Sequence, residues 1–257
     1  MEIKVNNLEF AYSNEKILKD INFTVLKGQC VSILGPNGAG KSTLIKCMDG
    51  LLKCKKGEIV IDGKKLSGMS REDIAKKIAY VPQVTASIFP LKVFDMVLLG
   101  RRLHMNLKSK KENHLKVLDA LKMLSIEHLA MRNFNQLSGG QKQKVVIAKA
   151  MAQETEILLL DEAISNLDIR HQLEVMDLVK KLSSEFGITV VMILHDLNIA
   201  SRFSDKIIIL NNGEISANGD AKEVLTKENI SSIYGIESYI TKIEDKPHIV
   251  PLKIRKI

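Results

Sequence analysis

The sequence predicts an α/β fold built on a mostly parallel sheet with helices on both faces. Three observations lead there. Two short, unbroken apolar runs, ILLL (Ile157–Leu160) and ITVVMIL (188–194), read as strands buried on both sides. A helix-like stretch, HQLEVMDLVKKLSSEF (171–186), lies between them, as a strand–helix–strand crossover requires. A third run, CVSIL (Cys30–Leu34), ends in a glycine-rich loop, after which a helical pattern covers residues 42–52.

The remaining elements follow in order. EIKVNNLEFAY (2–12) alternates imperfectly and suggests a strand. INFTVL (21–26) is a second strand, closed by Lys27–Gly28. EIVI (Glu58–Ile61) with the turn pair Asp62–Gly63 reads as strand and hairpin. Residues 91–135 differ in kind. They are rich in Leu, Met and Lys, and Leu115, Leu118, Leu121 and Leu124 recur at helical spacing, with the polar LKSKKENH (107–114) as a loop before them. Residues 220–257 form a mixed tail whose reading stays open between packing and partner contact. There is no internal repeat and no low-complexity segment.

Composition narrows the class. With 45% hydrophobic and 26% charged residues over 257 positions, the chain is long enough for one large domain with an inserted subdomain. No apolar run approaches the ~18 residues of a membrane-spanning helix. The start, MEIKVNN, shows no apolar leader, so a cytosolic location is expected. Cys30, Cys47 and Cys54 form no Cys-x-x-Cys pair and read as small buried apolar residues. The six histidines show no metal-ligand spacing. The net charge of +8 is spread along the chain, without interleaved aromatics and without tryptophan, which argues against nucleic acid.

Four stretches carry chemistry. Gly35-Pro36-Asn37-Gly38-Ala39-Gly40-Lys41-Ser42 fits the phosphate-loop pattern G-x-x-x-x-G-K-[ST], after a strand and before a helix. Glycines let backbone N–H groups approach phosphate oxygens, and the helix N-terminus adds partial positive charge. Lys41 neutralises phosphate charge and Ser42 is suited to bind Mg2+. Asp161 and Glu162 follow the ILLL strand, at the carboxyl end where ligands bind in open α/β sheets. Asp161 suits Mg2+, and Glu162 then lies close enough to polarise a water. His195 follows the ITVVMIL strand. It is open between a structural role and contact with the γ-phosphate or the water. Gln83, in YVPQ, could sense Mg2+ or end a strand; Tyr12 could stack on a base or fill the core.

The stretch LSGGQ poses a puzzle. Ser138 and Gln141 form a capping box for a following helix, yet Gly139 and Gly140 occupy its first turn, at about 0.5–1 kcal/mol each relative to Ala. In a nucleotide-binding protein the pair reads as a second phosphate site, where absent side chains permit close approach.

Taken in order, GPNGAGKST, VPQ, LSGGQ, ILLLDE, SNLD and ILHD make the chain resemble an ABC-type ATPase along nearly its whole length. The resemblance implies a P-loop NTPase core with an N-terminal antiparallel β subdomain and an inserted α-helical subdomain. It implies an ABC ATPase domain over 1–220, the helical subdomain at roughly 86–150, and a C-terminal extension over 221–257 packed on the core. It implies that Tyr12 stacks on adenine and that Gly35 to Thr43 wrap the phosphates of ATP. Gln83 would link Mg2+ to a membrane partner. Asp161 would hold Mg2+, Glu162 would be the general base and His195 the switch histidine. Asp168 would contact a second copy, whose phosphate loop would hold the ATP that Ser138, Gly139, Gly140 and Gln141 complete. One departure is Ala163–Ile164, where the family usually has Pro–Thr.

VFDMVLLGRRLH (93–104) is similar to the G-R-x-P-H stretch of importers for iron–siderophore, haem and cobalamin, with Leu103 in place of proline. The resemblance therefore implies an ATP-binding importer subunit at the cytoplasmic face of the membrane. It would work as an ATP-sandwich homodimer on two permease subunits, served indirectly by an extracytoplasmic substrate-binding protein. The alternatives are a soluble ABC ATPase, as in iron–sulfur cluster assembly, and a small-molecule kinase or GTPase. The kinase or GTPase reading leaves LSGGQ unexplained.

Overall fold

The computed structural model describes residues 2–83, 90–105, 109–165 and 167–255. An antiparallel sheet forms first, from β1 (Glu2–Tyr12), β2 (Glu15–Leu26), β4 (Lys56–Ile61) and β5 (Lys64–Lys65), in the order β2-β1-β4-β5. The central sheet uses β3 (Cys30–Leu34), β6 (Ile78–Val81), β7 (Ile157–Leu160), β8 (Thr189–Ile193), β9 (Lys206–Asn211) and β10 (Glu214–Gly219), in the order β10-β9-β3-β8-β7-β6. Every neighbour pair in it is parallel except β9–β10.

The unbroken apolar runs have a direct explanation. Side chains alternate between the two sheet faces, and both faces are covered. Val31, Ile33, Leu159, Val191 and Ile193 face one core, shared with α1 (Lys41–Met48) and the antiparallel sheet. Leu34, Leu158, Leu160, Val190 and Met192 face the other, shared with the helices between β6 and β7 and with α6 (Ile169–Ser184).

Helix α1 is shorter than the 42–52 pattern suggests. Asp49 caps it and Gly50, at φ 68°, takes the left-handed turn that stops it. Burial pushes the Asp49 carboxyl up to about 7, with Arg71 opposing. At the same end Cys47 and Cys54 come together. Contact with Cys54, then burial, raises the pKa of the Cys47 thiol, and contact with Cys47 lowers that of Cys54. Cys54 is thus a half-buried, partnered thiol rather than a small apolar core residue.

The helical stretch is more broken than expected. A short α2 (Arg71–Lys77) precedes β6; the stretch itself holds α3 (Val93–Leu98), a 3-10 helix at Leu99–His104, α4 (Lys110–Met123), 3-10 turns at Glu127–Leu129 and Phe134–Gln136, and α5 (Gly139–Ala152). The expected loop over 107–114 is already helix from Lys110, because the Ser109 hydroxyl accepts from the Glu112 N–H at 3.2 Å. The leucine stripe is also split. Leu121 and Leu124 are buried, but Leu115 and Leu118 are exposed, and Val117 and Ala120 complete the packed face. The GRRLH segment clamps the far end of α5. Arg101, fully buried, donates from Nη1 to Ala152 O at 2.6 Å and to Glu154 at 2.7 Å, and from Nε to Asn113 Oδ1 at 3.1 Å. Against the opposing effect of burial, Lys116 and Arg101 bring the Glu154 carboxyl down to about 2. His104 Nε2 meets Gln153 O at 3.0 Å.

After β8 come α7 (Leu197–Phe203), α8 (Ala221–Val224), α9 (Lys227–Tyr234) and a hairpin of β11 (Ile236–Ile243) and β12 (Lys246–Ile254). The hairpin is fixed to α7. Asn198 exchanges both amide bonds with Ile249, at 2.7 and 3.1 Å, and Ser201 Oγ donates to Pro247 O at 2.6 Å.

Two stability predictions follow from these contacts. Replacing Arg101 by Met leaves the Ala152 carbonyl and the Glu154 and Asn113 side chains without their buried cation, and should cost about 3 kcal/mol in chemical denaturation. Asp49 acts through pH. Between about pH 4 and 7 the folded chain keeps a proton that the unfolded chain has released, so stability falls as pH rises through that window. Asp49→Asn should flatten this fall, by about 2 kcal/mol between pH 5 and 8 after discounting for partial exposure. Equal slopes in parent and variant would place the dependence on another group.

Candidate functional site

The parallel ladder brings the ends of four strands to one edge. Val81 lies beside Leu160, Leu160 beside Met192, and Ile193 beside Ile33. Two hydrogen bonds carry the ladder past the strands, Asp161 N–H to Val81 O at 2.9 Å and Leu194 N–H to Ile33 O at 3.2 Å. Gly35, Gln83, Asp161, Glu162 and His195 therefore project from one rim.

The loop after β3 wraps tightly. Gly35 has φ 141°, and a Cβ there would lie 2.0 Å from Leu210 O, so no side chain fits. Lys41 opens α1 and is nearly buried, its ammonium donating to Gly35 O at 2.8 Å and Pro36 O at 2.9 Å. Burial lowers its pKa, and the Glu162 and Asp161 carboxylates pull it back up. A cavity of about 290 Å³ is lined by Tyr12, Ile17, Asn37, Gly38, Ala39, Gly40, Lys41, Ser42, Thr43 and Glu162. Tyr12 is half exposed at its mouth and meets Phe10 edge to face at 4.9 Å. A larger hollow, about 460 Å³, lies away from this rim beside Cys47, Cys54 and Met69 and brings no catalytic group together.

The two acids behave differently. Asp161 is buried, and Ser42 Oγ donates to its Oδ1 at 2.8 Å. Its Oδ2 accepts from Tyr80 Oη at 3.0 Å. Burial, then Asp161, pushes the Tyr80 phenol up, so it stays a donor. Glu162 faces the rim in a left-handed conformation, φ 52°, held by a tight turn in which the Ser165 hydroxyl donates to Glu162 O at 2.9 Å. Such backbone is uncommon outside glycine and concentrates at functional sites. Both Glu162 oxygens are engaged. Gln83 donates its amide to Oε2, and His195 Nε2 stands 2.9 Å from Oε1. Gln83, Glu162 and His195, three separate signals in the sequence, thus form one chain of contacts. Ala163 and Ile164 are buried in the core, so the residues replacing Pro–Thr anchor this turn by packing.

LSGGQ lies elsewhere on the surface. The capping box is present, with Gln141 N–H to Ser138 Oγ at 3.3 Å and Ser138 N–H to Gln141 Oε1 at 3.2 Å. Ser138 and Gly139 are exposed, and none of residues 138–141 lines the 290 Å³ cavity. Gly140 has its own packing reason: a Cβ there would sit 2.9 Å from the His171 ring. His171 in turn pairs with Asp168, Nδ1 to Oδ2 at 2.7 Å, and Asp168 caps α6 while its side chain stays largely exposed. Asn166 lies outside the described residues. Sequence reading missed Tyr80, a contact across strands, and His171, whose pairing with Gly140 is visible only in three dimensions. Among the described residues no group of three or more His, Cys, Asp or Glu could hold a metal ion.

The arrangement can cradle a nucleotide's phosphates and present a carboxylate to their outer end. Comparisons with known proteins agree. The model of a family described as ABC transporter matches residues 18–165. The petrobactin import ATP-binding protein of Bacillus anthracis is 41% identical over 99% of this chain and 94% of its own. Among solved structures, a chain of an ABC transporter of metal-chelate type, in an inward-facing conformation, superposes with a TM-score of 0.86 at 33% identity, over 97% of this chain and 96% of that one. A dimeric ATP-binding cassette in a post-hydrolysis state, bound to ADP and phosphate, gives 0.76 at 35% identity, over 85% and 98%. Phosphate loop, paired acids and the family match converge: the chain belongs to the ABC transporter family and carries its ATP-binding, ATP-hydrolysing domain.

Proposed function

We propose that this chain is the ATP-hydrolysing subunit of an importer, working as a homodimer at the cytoplasmic face of the membrane against two separate permease subunits. The cargo class is a metal chelate of the iron–siderophore, haem or cobalamin type, delivered to the permease by an extracytoplasmic binding protein. The observation that supports the import reading best is the match to the metal-chelate transporter, which covers 97% of this chain. The import role named for the Bacillus anthracis relative points the same way. Among the described residues no helix is long and apolar enough to cross a membrane, which suits a motor acting on partner chains. No comparable observation favours cluster assembly.

In this reading Tyr12 stacks on adenine and residues 35–43 wrap the phosphates. Lys41 exchanges its two loop carbonyls for phosphate oxygens. Mg2+ fits the donor set, since Ser42 Oγ and the Asp161 carboxylate are hard oxygen ligands already in contact. When bound, it neutralises charge on the phosphates. Glu162 is the general base, its carboxylate oriented by Gln83 at Oε2 and by His195 at Oε1. Gln83 would also report to the permease. Ser138 and the first-turn N–H groups of α5 serve the nucleotide held by the second copy, with Asp168 at the same junction.

Glu162→Gln should keep ATP affinity and lower turnover by about 100-fold or more, measured by phosphate release. Unchanged turnover would remove Glu162 from the mechanism. Lys41→Ala should weaken ATP binding, read by equilibrium titration, since a nearly buried cation facing phosphate is lost. The chain should co-purify with a multi-span permease that stimulates its ATPase. Capture of soluble partners alone would sink the import reading.

A further inference from the structure

We propose that Tyr80 is a positioning residue for Asp161, fixing the rotation of its carboxylate so that Oδ1 stays turned toward Ser42, the two groups that would hold Mg2+. This rests on the reading of Asp161 as the Mg2+-binding acid.

Strand β6 holds Asp161 at two points. The Val81 carbonyl takes its backbone N–H at 2.9 Å, and the Tyr80 hydroxyl, one residue earlier, donates to Oδ2 at 3.0 Å. Ser42 takes Oδ1 at 2.8 Å. The carboxylate is 3% exposed, so water does little to hold its orientation. A carboxyl group with one oxygen tied by a phenol cannot swing freely about its Cβ–Cγ bond, and the other oxygen is left to the cation side. Hydrogen-bond partners of metal ligands set ligand orientation and basicity in this way. The ring itself is packed against the core below the antiparallel sheet, so the hydroxyl is delivered by a rigid stem. A purely structural tyrosine would satisfy its hydroxyl anywhere within reach. Here it meets the one acid at the strand end that also contacts the phosphate-loop serine.

The test uses the full chain carrying Glu162→Gln, which holds nucleotide without turnover, and Mn2+ as the probe. Mn2+ binding with ATP present is followed by electron paramagnetic resonance for three proteins: the Glu162→Gln parent and that parent with Tyr80→Phe or Asp161→Asn added. Tyr80→Phe should weaken Mn2+ about tenfold, the low end for such partners, while ATP affinity in EDTA stays the same. In the chain with Glu162 restored, Tyr80→Phe should raise the Mg2+ concentration for half-maximal hydrolysis, with kcat recovered at saturating Mg2+. A kcat loss that Mg2+ cannot restore would overturn the positioning role. Parent-like Mn2+ affinity in Tyr80→Phe beside a weakened Asp161→Asn would also overturn it. Parent-like affinity in both variants would overturn the assignment of Asp161 on which it rests.

Discussion

Everything in the site hangs on the parallel register of β6, β7, β8 and β3. Parallel strands all end on the same side, and here they end level, so residues from four distant parts of the chain share one rim. The ladder continues for one further bond at Asp161 and at Leu194, which removes the slack that a loop would introduce before Glu162 and His195. A shift of one residue in β7 would swap the sheet faces of every side chain it carries and displace both acids from the rim, because neighbouring side chains point to opposite faces. The all-apolar strands give that register its strength, with both faces shielded from water.

The rim then separates two carboxylates by environment. Asp161, buried and tied at both oxygens by hydroxyl donors, cannot reorient. Glu162, next in the chain, is turned outward by its left-handed backbone and meets an amide and an imidazole. One group is suited to hold a cation and the other to exchange a proton, and the difference comes from one backbone angle and four side-chain contacts.

Local patterns made much of this legible. The phosphate loop, the acid pair and the apolar strands are contiguous in sequence, and short-range rules read them. The leucine spacing gives the helix of α4 but not which side is covered; Val117 and Ala120 complete the packed side, while Leu115 and Leu118 stay exposed. The start of α4 was hidden because a serine cap outweighed a polar, loop-like composition. The meeting of Gln83, Glu162 and His195, the Tyr80 contact and the Gly140–His171 packing were invisible for another reason: each joins residues that only the sheet and helix packing bring together. The glycines of LSGGQ show both limits. The capping box was readable, and the imidazole that excludes a side chain at 140 was not.

The strand that carries the phosphate loop has a consequence for how the chain is made. β3 is central in its sheet, yet its neighbours β8 and β9 come far later in the sequence; the Cys30 N–H and the Asp205 carboxylate that join at 2.9 Å are 175 residues apart. During synthesis the loop therefore emerges long before the strands that flank it, and Gly35 waits for Leu210 to close over it. Pairing over such separations is slow, because the chain must lose much freedom before any contact rewards it. The antiparallel sheet and the helical stretch, built from nearer neighbours, can form while the ribosome is still working. Competence to hold nucleotide thus arrives late, once β8 and β9 are in place beside β3.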